Sequence, residues 1–499
     1  MKSYRPWSPT QSFLLPPSPL EWLPKGHLAY FVLDVVEALD LSAIEGAIQE
    51  KDGRGERPYP PAMMVALLVY GYSVGVFSSR RIWRATSEDV AFRVLSGGQH
   101  PHFTTVNDFR LVHREALSNL FVQALRLCEK AGLVKLGHVA IDGTKVTANA
   151  SKHKAMSHKR MQEEERRLAA EVEALLRRAE ETDRREDEQY GVGQAPEDLP
   201  EELQRRESRL SRIREAKAAL EREAREARAE ALREQARGEQ ETASDESVAP
   251  AERKRAATRA KKAEAKAREI GGDDDTSGGG GTGSDLPHHR VPAKVDGTPE
   301  PGAQRNFTDP DSRIMVKGGE FLQGYNAHAA VDAEHQVIVA AAVTNQPPDQ
   351  EHLVPLLDLV IANCGRAPAA ASADSGYFSR ENAEACAARG VDAYIATGRD
   401  PAKAPPVSSP PTLAQRARAA MAAKLEAAAG KAIYARRKVI VEPVFGLIKQ
   451  ARGFRRFSFR GLVKVRDEWA FVCATHNLLK LFRYGGWLRE PLPLPLPQP

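Results

Sequence analysis

The run LVKLGHVAIDGTKV, residues 133–146, has the two-residue apolar period of a strand, yet strand signals do not return until residue 323. There QGYNAHAAVD (323–332) and HQVIVAAAVTN (335–345), joined by a short polar turn, read as a hairpin. The sequence between has another character. Residues 159–189 carry Met161, Leu168, Val172, Leu175 and Ala179 at heptad positions, and 200–235 carry Leu203, Leu210, Ile213, Leu220, Ala224 and Ala227, with GVGQAPEDLP as the turn. This spacing predicts an antiparallel helical hairpin (159–235) with a thin, Ala-rich seam. Residues 236–302, including GGDDDTSGGGGTGSD, are poor in apolar side chains and read as a disordered linker. Any sheet in this chain therefore has to form around a large helical insertion.

On either side the organisation is simpler. Residues 349–365 read as a helix and 367–374 as a strand. SRENAEACAARG as helix and VDAYIATG as strand follow, an alternation that makes the fold class α/β. Upstream, residues 1–132 form an all-α N-terminal region, with helical spacing in PAMMVALLVYGYSVGVF, SEDVAFRVL and VNDFRLVHREALSNLFVQALRLCEKAG. The segment SSRRIWRA places Arg80, Arg81 and Arg84 around Trp83. That pattern is compatible with DNA binding, although three arginines alone describe a solvated helix face. Residues 486–499 are a Pro-rich tail.

Composition excludes several classes. With 42% hydrophobic and 28% charged residues there is no uninterrupted apolar run of the ~20 residues that a bilayer span needs. The start MKSYRPWSPTQSF lacks the apolar stretch of a secretory signal. Cys128, Cys364, Cys386 and Cys473 lie far apart and in no CxxC spacing, so neither a disulfide framework nor a zinc site is indicated. The expected location is the cytoplasm, with nucleoid association when bound to DNA.

Three acids have settings suited to chemistry. Asp142 closes the first strand, Asp374 closes another ahead of SGYF, and Glu442 is the only acid in YARRKVIVEPVFGLIKQARGFRRFSFRG, residues 434–461. An acid at a strand end is held rigidly at the rim of a sheet, where ligands of α/β folds commonly sit. Taken singly, such an acid is more often a turn former. Pro443 is best tolerated at the first position of a helix, which predicts Glu442 at the N-cap, ionised and ready for a metal.

These stretches, with IDGTKVTANASKHKAMSH, TDPDSRIM, GGEFLQGYNAHAAVD, ADSGYFS and VEPVFGLIKQARGFRRFSFRG, resemble bacterial insertion-sequence transposases of the DDE class, the group similar to IS1182. The resemblance implies an RNase H-like catalytic domain over 133–158 and 303–485, in which Asp142, Asp374 and Glu442 are catalytic and bind two Mg2+ or Mn2+ ions. Because the first strand and GYNAHAAVD then share a sheet, the insertion is expected to be a module whose ends lie close in space. Related transposases carry a Tyr, Arg, Glu, Lys signature around the third acid. Here it falls on Tyr434, Arg437, Glu442 and Lys449, with Lys438 the alternative to Arg437 on spacing. His328 stands where glutamine is expected and, on a strand, is more often structural than a ligand. Asp311 and Arg313 either support the site or form an ordinary turn.

The function so implied is cleavage and strand transfer of DNA at the terminal inverted repeats of an insertion sequence. Lys449, Arg452, Arg455 and Arg456, continued by Arg460 and interleaved with Phe454, Phe457 and Phe459, are expected to hold phosphates without reading sequence. Arg80, Arg81 and Arg84 are the candidates for reading the ends. The expected partners are terminal-repeat and target DNA, and a second copy of the chain, because two ends are cut and joined in register. A nuclease that cuts without joining, or an inactive DNA-binding protein, is the rival reading.

Overall fold

The computed structural model describes residues 18–50, 57–190, 201–245, 248–271, 286–398 and 412–486. Seven helices come first: α1 (Leu28–Ala38), α2 (Ser42–Gln49), α3 (Pro61–Ser73), α4 (Ser79–Glu88), α5 (Val90–Leu95), α6 (Phe103–Val112) and α7 (Arg114–Lys130). Helix α3 begins with Pro61, where a missing N–H costs nothing, and is buried all round from Met63 to Ser73. Such a helix can only be an interior element.

The first strand, β1 (His138–Thr147), continues past Asp142, so that this acid sits within the strand and not at its end as the sequence predicts. A short strand β2 (Ala155–Ser157) leads into three long helices, α8 (His158–Tyr190), α9 (Glu201–Ser244) and α10 (Pro250–Gly271). The sequence predicts two helices and a linker here. Its linker begins inside α9 and contains the whole of α10. The turn GVGQAPEDLP, the Gly- and Asp-rich stretch 272–285 and the Pro-rich tail from 487 lie outside the described residues. Helix α10 escapes an apolar count because its buried face is made of Ala256, Ala260, Ala263 and Ala267. The strand β3 (Gln304–Asn306) then pairs antiparallel with β2, Ala155 against Asn306 and Ser157 against Gln304. The two ends of the insertion are thereby clipped together.

The remaining elements are β4 (Arg313–Lys317), β5 (Glu320–Asp332), β6 (Ile338–Thr344), α11 (Leu353–Cys364), β7 (Ala370–Ala373), α12 (Arg380–Ala388), β8 (Asp392–Ile395), α13 (Leu413–Glu426), α14 (Ala428–Gly446) and α15 (Leu462–Tyr484). The strand order is β4-β5-β1-β7-β8, with β6 also pairing β5. Strands β4, β5 and β6 form antiparallel pairs and β1, β7 and β8 run parallel. A helical N-terminal region followed by this mixed sheet is consistent with an RNase H-like catalytic fold carrying a helical insertion. Among the described residues no helix is long and apolar enough to cross a membrane.

Alternation along β1 divides the interior. Ala140 and Val146 join a core with the N-terminal helices, α14 and α15, whereas Val139 and Ile141 join a second core with α11 and β7. Helix α15 fixes the β5–β6 turn: Asn477 accepts from the Ile338 N–H and donates to the Ile338 carbonyl, both at 2.8 Å. Beside it in the chain, His476 Nε2 lies 3.0 Å from the Gln336 carbonyl, and burial pushes its pKa down to about 3. A histidine whose folded pKa lies below its unfolded value stabilises fully above about 6.5 and loses that contribution as the pH falls from there. The stability advantage of the wild type over His476→Gln, read from urea unfolding at pH 7.5 and pH 5, should accordingly narrow by about 2 kcal/mol.

Candidate active site

Strand pairing builds the site. The parallel register that sets His138 beside Ala370 and Ala140 beside Ser372, carried two residues further, sets Asp142 level with Asp374. Asp374 follows β7 directly and accepts from the Gly376 N–H at 2.9 Å. Burial raises the Asp142 carboxyl to about 6; Asp374 adds to the rise, while the Arg437 guanidinium and the Gly143 N–H oppose it.

Arg437 is the principal neighbour of Asp142, with Nη1 at 3.0 Å from Oδ2. Burial would lower this guanidinium, but Asp142, Tyr434 and Asp374 outweigh it and raise its pKa. Of the two residues that spacing leaves open, Arg437 lies on the buried face of α14 with Ile440, Val441 and Val444, whereas Lys438 is exposed. Tyr434 is half-buried, its ring centroid 5.9 Å from the Arg437 guanidinium carbon.

Glu442 is not an N-cap. It sits deep in α14, with Pro443 inside the helix. The carbonyl of Val439, whose helical donor would be the N–H that proline lacks, accepts instead from Gln336 Nε2 at 2.8 Å. The Glu442 side chain is 55% exposed, and Arg437 Nη2 lies 4.0 Å from its Oε1. Arg437 therefore bridges the distance between the first and third expected acids. Among the described residues, no group of three His, Cys, Asp or Glu side chains is gathered closely enough to hold one metal ion.

A five-residue π-helical turn, Leu447–Ala451, follows α14. It turns Lys449 into the protein, where Nζ donates to Thr144 Oγ1 at 2.7 Å and to the Lys145 carbonyl at 2.9 Å. Burial, with Lys317 and Arg455 nearby, lowers Lys449 to about 7. Arg452, expected on a DNA face, is buried: it donates to the Tyr72 carbonyl at 3.0 Å and to Thr475 Oγ1 at 2.6 Å, tying α3 to α15. Arg455, Arg456 and Arg460 are exposed, while the intervening Phe454 and Phe457 are core residues. The segment is fixed to the end of β1, since the Thr147 N–H donates to the Arg455 carbonyl at 3.2 Å and the Phe457 N–H to the Thr147 carbonyl at 2.9 Å. Asp311 accepts from the Leu462 N–H at 2.8 Å, and Arg313 is largely buried, 3.8 Å from Glu223. Arg80, Arg81 and Arg84 lie on the exposed side of α4, and Arg80 stacks over Phe103 at 4.8 Å.

Sequence reasoning misses the residues beside Lys145, further along β1. Asp349 accepts from Asn326 Nδ2 at 2.6 Å and lies 3.3 Å from Lys145 Nζ. A Cβ placed on Gly376 would stand 3.1 Å from Asp374 Oδ1 and 3.4 Å from Asp349 Oδ2, so the two carboxylates crowd the same glycine. Asp349 lies five residues past the end of β6, after Pro347 and Pro348 and just before the turn Gln350–His352, so no strand-end signal marks it in the sequence. His328 is fully buried beneath, its Nδ1 2.7 Å from the Tyr377 hydroxyl, and burial holds its pKa well below the usual histidine range. It is placed directly across from Gly143, where an added Cβ would come within 2.9 Å of the His328 ring.

Two family comparisons bear on this geometry. A family described as "Transposase DDE domain" matches residues 288–478, and one described as "Transposase domain (DUF772)" matches residues 18–111. Both descriptions are typical of insertion-sequence transposases and support a DDE-transposase type of function in general; the first suggests nuclease or transposase enzymatic activity. Asp374 and Glu442 fall inside the first match, and Asp142 lies between the two. No curated protein and no solved structure matches the chain. As a test of the packing around Asp142, Gly143→Ala should destabilise the protein by about 1–3 kcal/mol through overpacking against His328. Thermal unfolding compared with a neutral surface variant would measure it.

Proposed function

We propose that the chain is a transposase that cuts DNA at the ends of its own mobile element and transfers the cut strand, at a site built on Asp142, Asp374 and Glu442. The observation that carries this reading is the parallel pairing of β1 with β7, which directs Asp142, in β1, and Asp374, just past the end of β7, to the same end of the sheet, near enough for Asp374 to raise the Asp142 carboxyl. Two carboxylates so placed, one of them raised by burial and by the other, call for a cation, and an all-oxygen donor set is the kind that Mg2+ takes. Arg437 provides positive charge beside Asp142. Asp142 and Asp374 would hold a divalent ion between them, and Glu442, which among the described residues is not gathered with them, would have to turn toward them to join. Bound there, divalent ions would activate the attacking hydroxyl and stabilise the leaving oxygen of the phosphodiester.

The chain's own residues then orient the substrate. Lys449 and Thr144 brace β1 just beyond Asp142, and Asp349 holds Lys145 one residue further along the strand. Exposed Arg455, Arg456 and Arg460 hold phosphates next to the cleavage point, and Phe454 and Phe457 anchor that segment in the core. Arg80, Arg81 and Arg84 on exposed α4 are assigned to the element's ends, and a dimer supplies two sites for two ends.

The test combines purified protein, Mg2+ and duplexes bearing the element's ends. Cut and joined products are expected; cut ends alone would mean a nuclease, and uncut DNA would refute the catalytic reading. Asp142→Asn, Asp374→Asn and Glu442→Gln should each reduce cleavage by more than the roughly 10–100-fold typical of losing an outer-shell partner, while DNA binding stays near wild type. Full cleavage by any one of them would remove that residue from the site.

A further inference from the structure

A large cavity lies away from Asp142, at the root of the insertion. Its volume is about 990 Å³, and its walls come from the loop after β1, the start of α8 and one side of α9. His153, Lys154, Arg160, Arg205, Arg209 and Arg212 contribute to it, and among the described residues no acid lines it. This charge is not a property of α9 as a whole, whose sequence contains eleven glutamates and eleven arginines and lysines. Positions 205, 209 and 212 follow helical i, i+4, i+7 spacing, which gathers three arginines on one side. Arg209 also reaches Glu164 of α8 at 3.6 Å, while the lining itself carries cations only.

A second cavity of about 590 Å³ shares His153 and Lys154 with the first. It is lined by Thr147 at the end of β1, by Lys152, and by Arg456 and Arg460, again without an acid among the described residues. Arg460 is held in place by Nε donation to the Asn149 carbonyl at 3.0 Å. The two cavities form one cationic track that begins five residues beyond Asp142 and ends on the insertion. The insertion cannot move away from it freely, because β2 and β3 clip its root and Arg313 lies 3.8 Å from Glu223 of α9.

We propose that this track holds the phosphate backbone of duplex DNA leading away from the cleavage point, and that the insertion is therefore a DNA clamp. The inference rests on the DNA-processing reading above and assigns to α8 and α9 a role that the reading leaves open. Polyphosphate chemistry fits a groove with cations on both walls, repeated at helical spacing and with no acid among its described lining residues, Glu164 of α8 standing outside them at 3.6 Å from Arg209.

The experiment uses the full chain without divalent cation, so that nothing is cut, and a fluorescent duplex bearing an element end with a long flank. Affinity is measured by anisotropy between 50 and 200 mM KCl for the wild type, for Arg160→Gln/Arg209→Gln/Arg212→Gln, and for Arg222→Gln/Arg233→Gln on exposed positions of α9 that do not line the track. The slope of log K against log salt should shrink by roughly 0.9 for every phosphate that the triple variant no longer neutralises, and only there. Circular dichroism and thermal melting check that the insertion remains folded. Tight wild-type binding with an unchanged slope in the triple variant would overturn the clamp alone. Absence of wild-type binding to any duplex would overturn the DNA-processing reading itself. A triple variant impaired for single-stranded RNA but not for duplex DNA would also overturn the clamp.

Discussion

The pairing of β1 with β5 is the constraint on which the rest depends. Nine residue pairs, from Val139 against Asp332 to Thr147 against Gly324, bring together strands that the chain separates by the whole insertion. Closing so long a loop costs entropy that grows only slowly with its length, so a large insertion is tolerated if its ends are held. The β2–β3 clip, continued by the Phe307 N–H to Lys154 carbonyl bond at 3.0 Å, holds them. Each later feature of the site follows from this register. It sets His328 across from Gly143 and Asn326 across from Lys145, and it leaves the other edge of β1 free to receive β7 and Asp374.

The second organising element is the irregular end of α14. A proline inside a helix removes one hydrogen bond and crowds the preceding turn, at about 3 kcal/mol. Gln336, in the turn that α15 clasps, supplies the missing donor. The π-helical turn that follows changes the facing of the chain, so that Lys449 meets β1 and does not continue the exposed face of Glu442. A π segment of this kind often marks a functional position, and here it lies between the third expected acid and the basic segment.

Buried charge joins the N-terminal helices to the remainder. Glu468 of α15 accepts from the Ser458 and Phe459 N–H groups and lies 4.0 Å from Arg110 of α6, which itself donates to the Phe77 carbonyl at 2.7 Å. Arg114 and Asp467 pair at 3.1 Å beside them. With Arg452 crossing from Tyr72 to Thr475, the basic segment is fixed on one side by the N-terminal helices and on the other by α15. Breaking such a buried set is costly because it leaves a charge unpaired in the interior. The helical N-terminal region and the sheet consequently share one continuous core.

Much of this was legible in sequence, and the exceptions have physical causes. Apolar runs marked β1, β5, β6, β7 and α3, whose residues are largely or wholly buried, and helical spacing marked α7 and α11, where burial of one face imposes that periodicity on residue choice. The alanine seam of α10 was not visible, since alanine gives too little contrast between the faces of a helix. The sequence placed Glu442 at a cap because proline prefers that position in isolation, a preference that Gln336 overrides from another part of the chain. Arg452 looked like its exposed neighbours Arg455 and Arg456, and only packing against Tyr72 and Thr475 separates them. Local order and the identity of the acids were thus determined by the sequence itself. Which charges face one another, Asp142 with Asp374 and Arg437, Lys145 with Asp349, was decided by strand register and helix facing, which depend on packing between segments hundreds of residues apart.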